Sequence, residues 1–258
     1  MTSKPDPHSG FAPELTVAGS IATITLRRPE MANRLEPADL ATLRGFIREV
    51  NARREVLVLR LCAQGRQFCA GFNIGSIADG NAGASFEALA NELERARPVT
   101  IAAINGGVYG GATDLALACD FRIGIETSQM FVPAARLGLL FYRDGLQRYV
   151  SRLGLNTAKR LLLGAATFDA AQMQACGFLD AVVPQHALAE EVERLSAELA
   201  AMAPLALLGM KKHLNRIASG TFDEDEFRRD VTQADASQDL REGALAWQQK
   251  RKPVFRGE

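Results

Sequence analysis

The chain has 258 residues, 47% of them hydrophobic, and its 30 basic and 30 acidic side chains cancel to a formal net charge of +0. That length buries roughly three-quarters of the unfolded surface and fits one large α/β domain, while the cancelled charge excludes a global field for nucleic acid or an anionic membrane. No basic-then-apolar leader or uninterrupted apolar run of about twenty residues occurs, so a soluble cytoplasmic protein with a small-molecule or protein partner is expected.

Three prolines and little apolar surface up to Pro13 predict a loose tail over residues 1–12. Two alternating runs over residues 15–26 flank Ala18-Gly19-Ser20 as a hairpin. Pro37 suits a helix's first turn, and Leu40, Leu43, Ile47 and Val50 recur at helical spacing. Residues 56–61 read as the next strand. Phe68-Cys69-Ala70-Gly71-Phe72-Asn73-Ile74 then sets small residues in an apolar frame, where a backbone must come close to something. Residues 75–83 read as a mobile glycine-rich loop, and Phe86, Leu89, Ala90 and Leu93 mark a helix.

Residues 98–104 form an apolar run too short for a helix, closed by Asn105-Gly106-Gly107, which predicts a buried strand and turn. Gly110-Gly111-Ala112-Thr113 leads into a helix with Asp114 in its first turn. Backbone N–H groups there are bare of side chains and suit negative charge. Phe121, Ile123 and Ile125 alternate as a strand, residues 146–153 and 157–163 read as helices, and the alternation favours a sheet with crossover helices. Asp169 caps a short helix stopped by Gly177, residues 179–183 form a last strand, and three long helices follow over residues 188–202, 204–217 and 224–250. His186 and His213 fall on predicted surface helices and read as structural or solvated.

Several chemistries drop out. Asn105, Gly107 and Gly110 occupy the three glycine positions of a dinucleotide-binding loop, so the first is missing. Neither a phosphate loop nor G-x-S-x-G occurs. Cys62, Cys69, Cys119 and Cys176 form no C-x-x-C pair and there are three histidines, so no metal site is expected and the thiols read as buried and free.

The stretch 68–74 followed by Ile104-Asn105-Gly106-Gly107-Val108-Tyr109-Gly110-Gly111-Ala112-Thr113-Asp114-Leu115-Ala116-Leu117-Ala118-Cys119-Asp120 resembles the crotonase, or enoyl-CoA hydratase/isomerase, family. Arg28-Pro29-Glu30 with Asn33, residues 133–138, Ser237-Gln238-Asp239-Leu240-Arg241-Glu242-Gly243 and the final Arg251-Lys252-Pro253-Val254-Phe255-Arg256-Gly257 extend the likeness over nearly the whole chain after residue 12. It implies an α/β fold: a spiral of ββα units over residues 13–200 and a C-terminal helical trimerisation region over residues 201–258, giving a homotrimer or dimer of trimers.

The resemblance also assigns the ligand, an acyl-CoA thioester, with coenzyme A entering only as part of the substrate and no separate cofactor. It implies that the N–H groups of Phe72 and Gly111 receive the thioester oxygen and stabilise an enolate. Ala32, Arg34, Ala70, Asn73, Ile74, Gly110 and Pro133 fall at its CoA- and substrate-binding positions, with Asn73 replacing the common Asp. Asp114 matches the first glutamate of the family's hydratases, shorter by one methylene and so set back about 1.5 Å. Ala134 stands where the second should be. The family's isomerases carry a carboxylate at the Ala134 or the Tyr142 position, so neither pattern matches directly.

Asp114 is therefore expected as the principal acid/base, with Tyr142 or Asp144 as a second group facing the acyl chain. The bland alternative is that Asp114 only charges the first turn of its helix. Arg136 is expected either to pair with a carboxylate such as Asp144 or to lie at the surface. The expected activity is enoyl-CoA hydratase/isomerase. Another enolate reaction of the family (decarboxylase, dehalogenase or thioester hydrolase) and a noncatalytic acyl-CoA-binding oligomer stay open beside it.

Overall fold

The computed structural model describes residues 10–73 and 82–258, without the side chains of residues 82–84. Ile74 and residues 75–81 of the expected loop lie outside the described residues, as does most of the expected tail. The first strand, β1 (Phe11–Ala18), starts earlier than the alternation suggested and pairs antiparallel with β2 (Ile21–Arg27). Gly19, at φ +57°, makes the tight turn between them.

Helix α1 (Pro37–Ala52) follows with its predicted apolar stripe buried, then β3 (Val58–Ala63), α2 (Ala82–Glu94) and β4 (Val99–Ile104). Helix α3 (Gly111–Ala118) leads to β6 (Phe121–Ile125), and β9 (Ala181–Val183) closes the sheet. The order is β1-β2-β3-β4-β6-β9, parallel from β2 onward. Every residue of β4 is buried because both faces are covered, which explains its unbroken apolar run. Ala102 and Ile104 face the main core with α1, α2 and α3, while Val99, Ile101 and Ala103 face Leu188, Val192 and Leu199 of α6 (Leu188–Ala200).

A second sheet of β5 (Val108–Tyr109), β7 (Gln129–Phe131) and β8 (Phe168–Asp169) was not expected, since strands this short carry no period. Helix α4 (Arg143–Leu162) joins the two predicted segments across a kink at Gly154, φ +77°. In α5 (Ala170–Ala175) Asp169 is the predicted cap, accepting from Gln172 N.

The expected helix over residues 224–250 is instead two, α8 (Glu224–Asp235) and α9 (Gln238–Gln249). Ser237 breaks it by accepting from Leu240 N at 3.1 Å as an N-cap. Asp239 in the first turn of α9 accepts from Arg256 N and Gly257 N, each at 2.8 Å. The two C-terminal motifs thereby hold each other. His213, on α7 (Pro204–Ser219), is not solvated: it is 6% exposed, bonded at 2.7 Å to Asp230 and edged by Phe222 and Phe227, because α8 lies across it. Among the described residues no helix is long and apolar enough to cross a membrane.

Candidate active site

The segment after β3 runs parallel to the one after β4. Cys69 bridges Val108 and Leu35 bridges Phe72. In the second bridge the bonds are Leu35 N to Gly71 O and Asn73 N to Leu35 O, at 2.8 and 3.0 Å, so the Phe72 N–H is left outside the ladder. Counting three residues on from Cys69 and Val108 arrives at Phe72 and Gly111. The approach is close: a Cβ on Gly71, itself at φ +89°, would lie 2.8 Å from Tyr109 O and 3.3 Å from Gly111 N. Gly111 opens α3, and a first helical residue has no N–H acceptor within its own helix. Two peptide N–H groups are thus brought close together at a helix N-terminus.

Asp114 lies one turn further along α3 and is wholly buried. Arg148 Nη1 donates to both of its oxygens at 2.7 Å, and Tyr142 Oη donates to Oδ2 at 2.5 Å. Arg148, 2% exposed, also donates from Nε to Glu94 Oε1 at 3.0 Å and from Nη2 to Asn91 Oδ1 at 2.8 Å. Burial works to lower the Arg148 pKa, but the carboxylates of Asp114 and Glu94 outweigh it and hold the group above its ordinary value. Burial, then the charge of Asp114, pushes the Tyr142 phenol well above its usual range.

Tyr142 stacks on Phe141 at 4.6 Å and lies 6.5 Å from Phe86. The Phe86 ring in turn sits 6.2 Å from that of Phe72 and 2.9 Å from where a Cβ on Gly111 would be. The phenol therefore belongs to the same aromatic wall as the two donors. Asp144 sits apart, accepting from Asn91 Nδ2 at 2.7 Å and reaching Asp114 only through Asn91 and Arg148. Arg136 donates to Ala165 O at 3.0 Å and does not pair with Asp144. Ala134, half-buried at the start of a 3₁₀ turn, brings no polar group.

Four of the expected nucleotide residues form one patch. Ala32 O accepts from Ala70 N at 2.8 Å, and Arg34 and Asn73 both donate to Glu36, each at 2.8 Å. Burial raises the Glu36 pKa, yet those two hydrogen bonds outweigh it and hold the carboxyl below its usual range. Pro133 lies against Gly110, 4.0 Å from a Cβ placed there. Sequence reasoning missed Glu36, Asn91, Glu94 and Arg148. The legible signal was Arg148, a charge beside Tyr149 and Leu153 on the inward side of a helical pattern. Among the described residues no group of His, Cys, Asp and Glu is arranged to hold a metal ion.

The fold is that of the crotonase class. The profile of the enoyl-CoA hydratase/isomerase family matches residues 16–258, and the chain belongs to that family. It is 33% identical to the enoyl-CoA isomerase/hydratase fer4 of Mycosarcoma maydis over 78% of this chain and 76% of that one. With the 2,3-dehydroadipyl-CoA hydratase of Escherichia coli it shares 28% identity over 92% and 95% of the two chains. The crystal structure of an enoyl-CoA hydratase from Bacillus anthracis superposes with a TM-score of 0.87 at 27% identity, covering 96% of this chain and 100% of that one.

Proposed function

We propose that the protein acts on an acyl-CoA thioester through an enolate, as an enoyl-CoA hydratase or isomerase. What supports this reading is the close approach of the Gly71–Phe72 backbone to Gly111 at the start of α3, which brings the Phe72 and Gly111 N–H groups near one another. Preorganised donors act where charge develops, and one such donor is worth about 10²–10³ in rate, or about 2.7–4 kcal/mol. The thioester oxygen would lie between them, with the acyl chain against Phe72, Phe86 and Tyr142. Coenzyme A would extend over Ala32, Arg34, Ala70 and Asn73 as part of the substrate.

Proton transfer falls to Asp114 and Tyr142, the acid one turn along α3 from Gly111 and the hydroxyl bonded to it. With Ala134 in place of a second carboxylate, movement of a double bond is favoured over addition of water, because hydration in this family uses two acids to orient water and deliver a proton. In the oligomer, a homotrimer or dimer of trimers, the exposed Leu240, Leu245 and Trp247 of α9 would be covered by neighbouring copies.

The test is mass spectrometry of 2-enoyl-CoA and 3-enoyl-CoA after incubation with the protein in deuterated water. Double-bond migration or deuterium uptake without gain of water supports an isomerase site, and gain of water a hydratase that works without a carboxylate at position 134. If both esters bind and neither changes, the enolate reading on these substrates is lost, and a decarboxylase, hydrolase or binding oligomer replaces it.

A further inference from the structure

The carboxylate that the sequence nominates cannot itself meet a ligand. Asp114 is 0% exposed, and among the described residues its side chain is bonded to Arg148 and Tyr142. Arg148 closes the inner side, its remaining donors taken by Glu94 and Asn91. The route from Asp114 to an acyl group therefore runs through one atom, Tyr142 Oη, on a half-buried ring that shares the aromatic wall of Phe86 and Phe72 with the oxyanion donors.

Resting on the enolate reading, we propose that Tyr142 is the catalytic residue that exchanges a proton with the substrate carbons, and that Asp114, clamped by Arg148, is a positioning residue that stores the proton behind it. In the first step the Cα–H bond of a 3-enoyl thioester breaks and its electron pair enters the enolate. The released proton joins Tyr142 Oη while the phenol's own proton passes to Asp114 Oδ2. The second step runs the relay backward onto Cγ: Asp114 returns its proton to the phenol oxygen, the phenol gives one to carbon, and the double bond has moved. Both side chains are restored and no water is consumed. A phenol that stays protonated through the neutral range is a loaded middle for such a relay, and one relay carrying one proton needs no acid at position 134.

A relay in series makes a prediction that two independent groups do not. With trans-3-hexenoyl-CoA in deuterated water, Tyr142→Phe is expected to lower both kcat for double-bond migration and α-deuterium uptake by about a hundredfold or more, with KM unchanged within about threefold. The substitution keeps the Asp114–Arg148 pair, so a melting curve close to the parent's shows that the fold is intact. Asp114→Asn is expected to be as slow as Tyr142→Phe, and the double variant no slower than either, because a broken chain loses nothing at its second break. Retention of kcat within about threefold by Tyr142→Phe, or multiplied losses in the double variant, overturns the relay alone. If Asp114→Asn does not fold, the Tyr142→Phe result decides. Parent protein that neither isomerises nor exchanges this ester overturns the relay together with the enolate reading beneath it.

Discussion

The proposed donor pair, Phe72 and Gly111, and the carboxylate of Asp114 converge on the first turn of α3, yet they are made of different materials. Both donors are peptide groups, held by strand bridges on both sides of Gly71, so the Phe72 side chain is free to serve packing. The carboxylate is held by side chains from α2 and from α4 and its N-cap: Asn91 and Glu94 through Arg148, and Tyr142 directly. A backbone device is insensitive to charge and pH. A side-chain network of buried charges is sensitive to both, because each member loses its compensation when a partner leaves.

The largest effect expected from that difference is on stability. Arg148→Met leaves the Asp114 carboxylate without its buried cation, while Glu94 keeps Arg152, and should cost about 3–5 kcal/mol, read as a fall in the urea midpoint. Arg148→Lys should recover part of it. Gly71→Ala attacks the other region, since its Cβ would lie 2.8 Å from Tyr109 O at φ +89°. Displacing one oxyanion donor should lower turnover about 10²–10³-fold, and steady-state kinetics on 2- and 3-enoyl-CoA would measure it. If Gly71→Ala were fully active, the donor pair would not be the catalytic half.

Asn91→Ala removes one hydrogen bond to Arg148 and the link to Asp144, and about 1–2 kcal/mol of stability should go with it. A larger loss of turnover than Tyr142→Phe causes would move the working end of the network to Asp144. The mildest probe is alkaline pH. Burial and the charge of Asp114 raise the pKa of Tyr142 and of Tyr149 above the ordinary value of 10.0. The stability these phenols contribute is therefore whole below about pH 10 and lost as pH rises beyond it. A urea midpoint followed upward from pH 9 should fall, and Tyr142→Phe should make the fall shallower, while the backbone pair contributes nothing to it.

What could be read in the sequence follows the same division. The glycines of residues 106–111, the small residues of 69–71 and the apolar run of β4 point to a close backbone approach at a helix start, because peptide geometry leaves its mark on a few adjacent positions. The helix of residues 37–52 and the body of α2 were legible from periodicity, while the start of α2 at residues 82–83 reads as loop in the sequence, and Ser237 was overlooked as a cap inside a pattern that continued on both sides of it. The surroundings of Asp114 were not legible beyond Tyr142. Asn91, Glu94 and Arg148 stand 20 to 34 residues away along the chain, and a polar residue within an amphipathic helix does not declare which way it faces. Asp144 looked equivalent to Tyr142 by position, but the two-residue step from the N-cap into α4 turns a side chain bonded to Asp114 into one bonded to Asn91.

The bridge between Cys69 and Val108 sets a length as well as a pairing. Three residues lead from each bridged position to its donor, so the two arms act as matched rulers, and the site is defined by counting more than by which side chains fill the count. Inserting or deleting one residue on either arm would turn an outward N–H inward to the ladder and retract the donor by a full residue spacing. Changes of residue type at positions such as Ala70 or Tyr109 leave the measure intact. The catalytic surface of this protein should tolerate substitution far better than it tolerates a change in length.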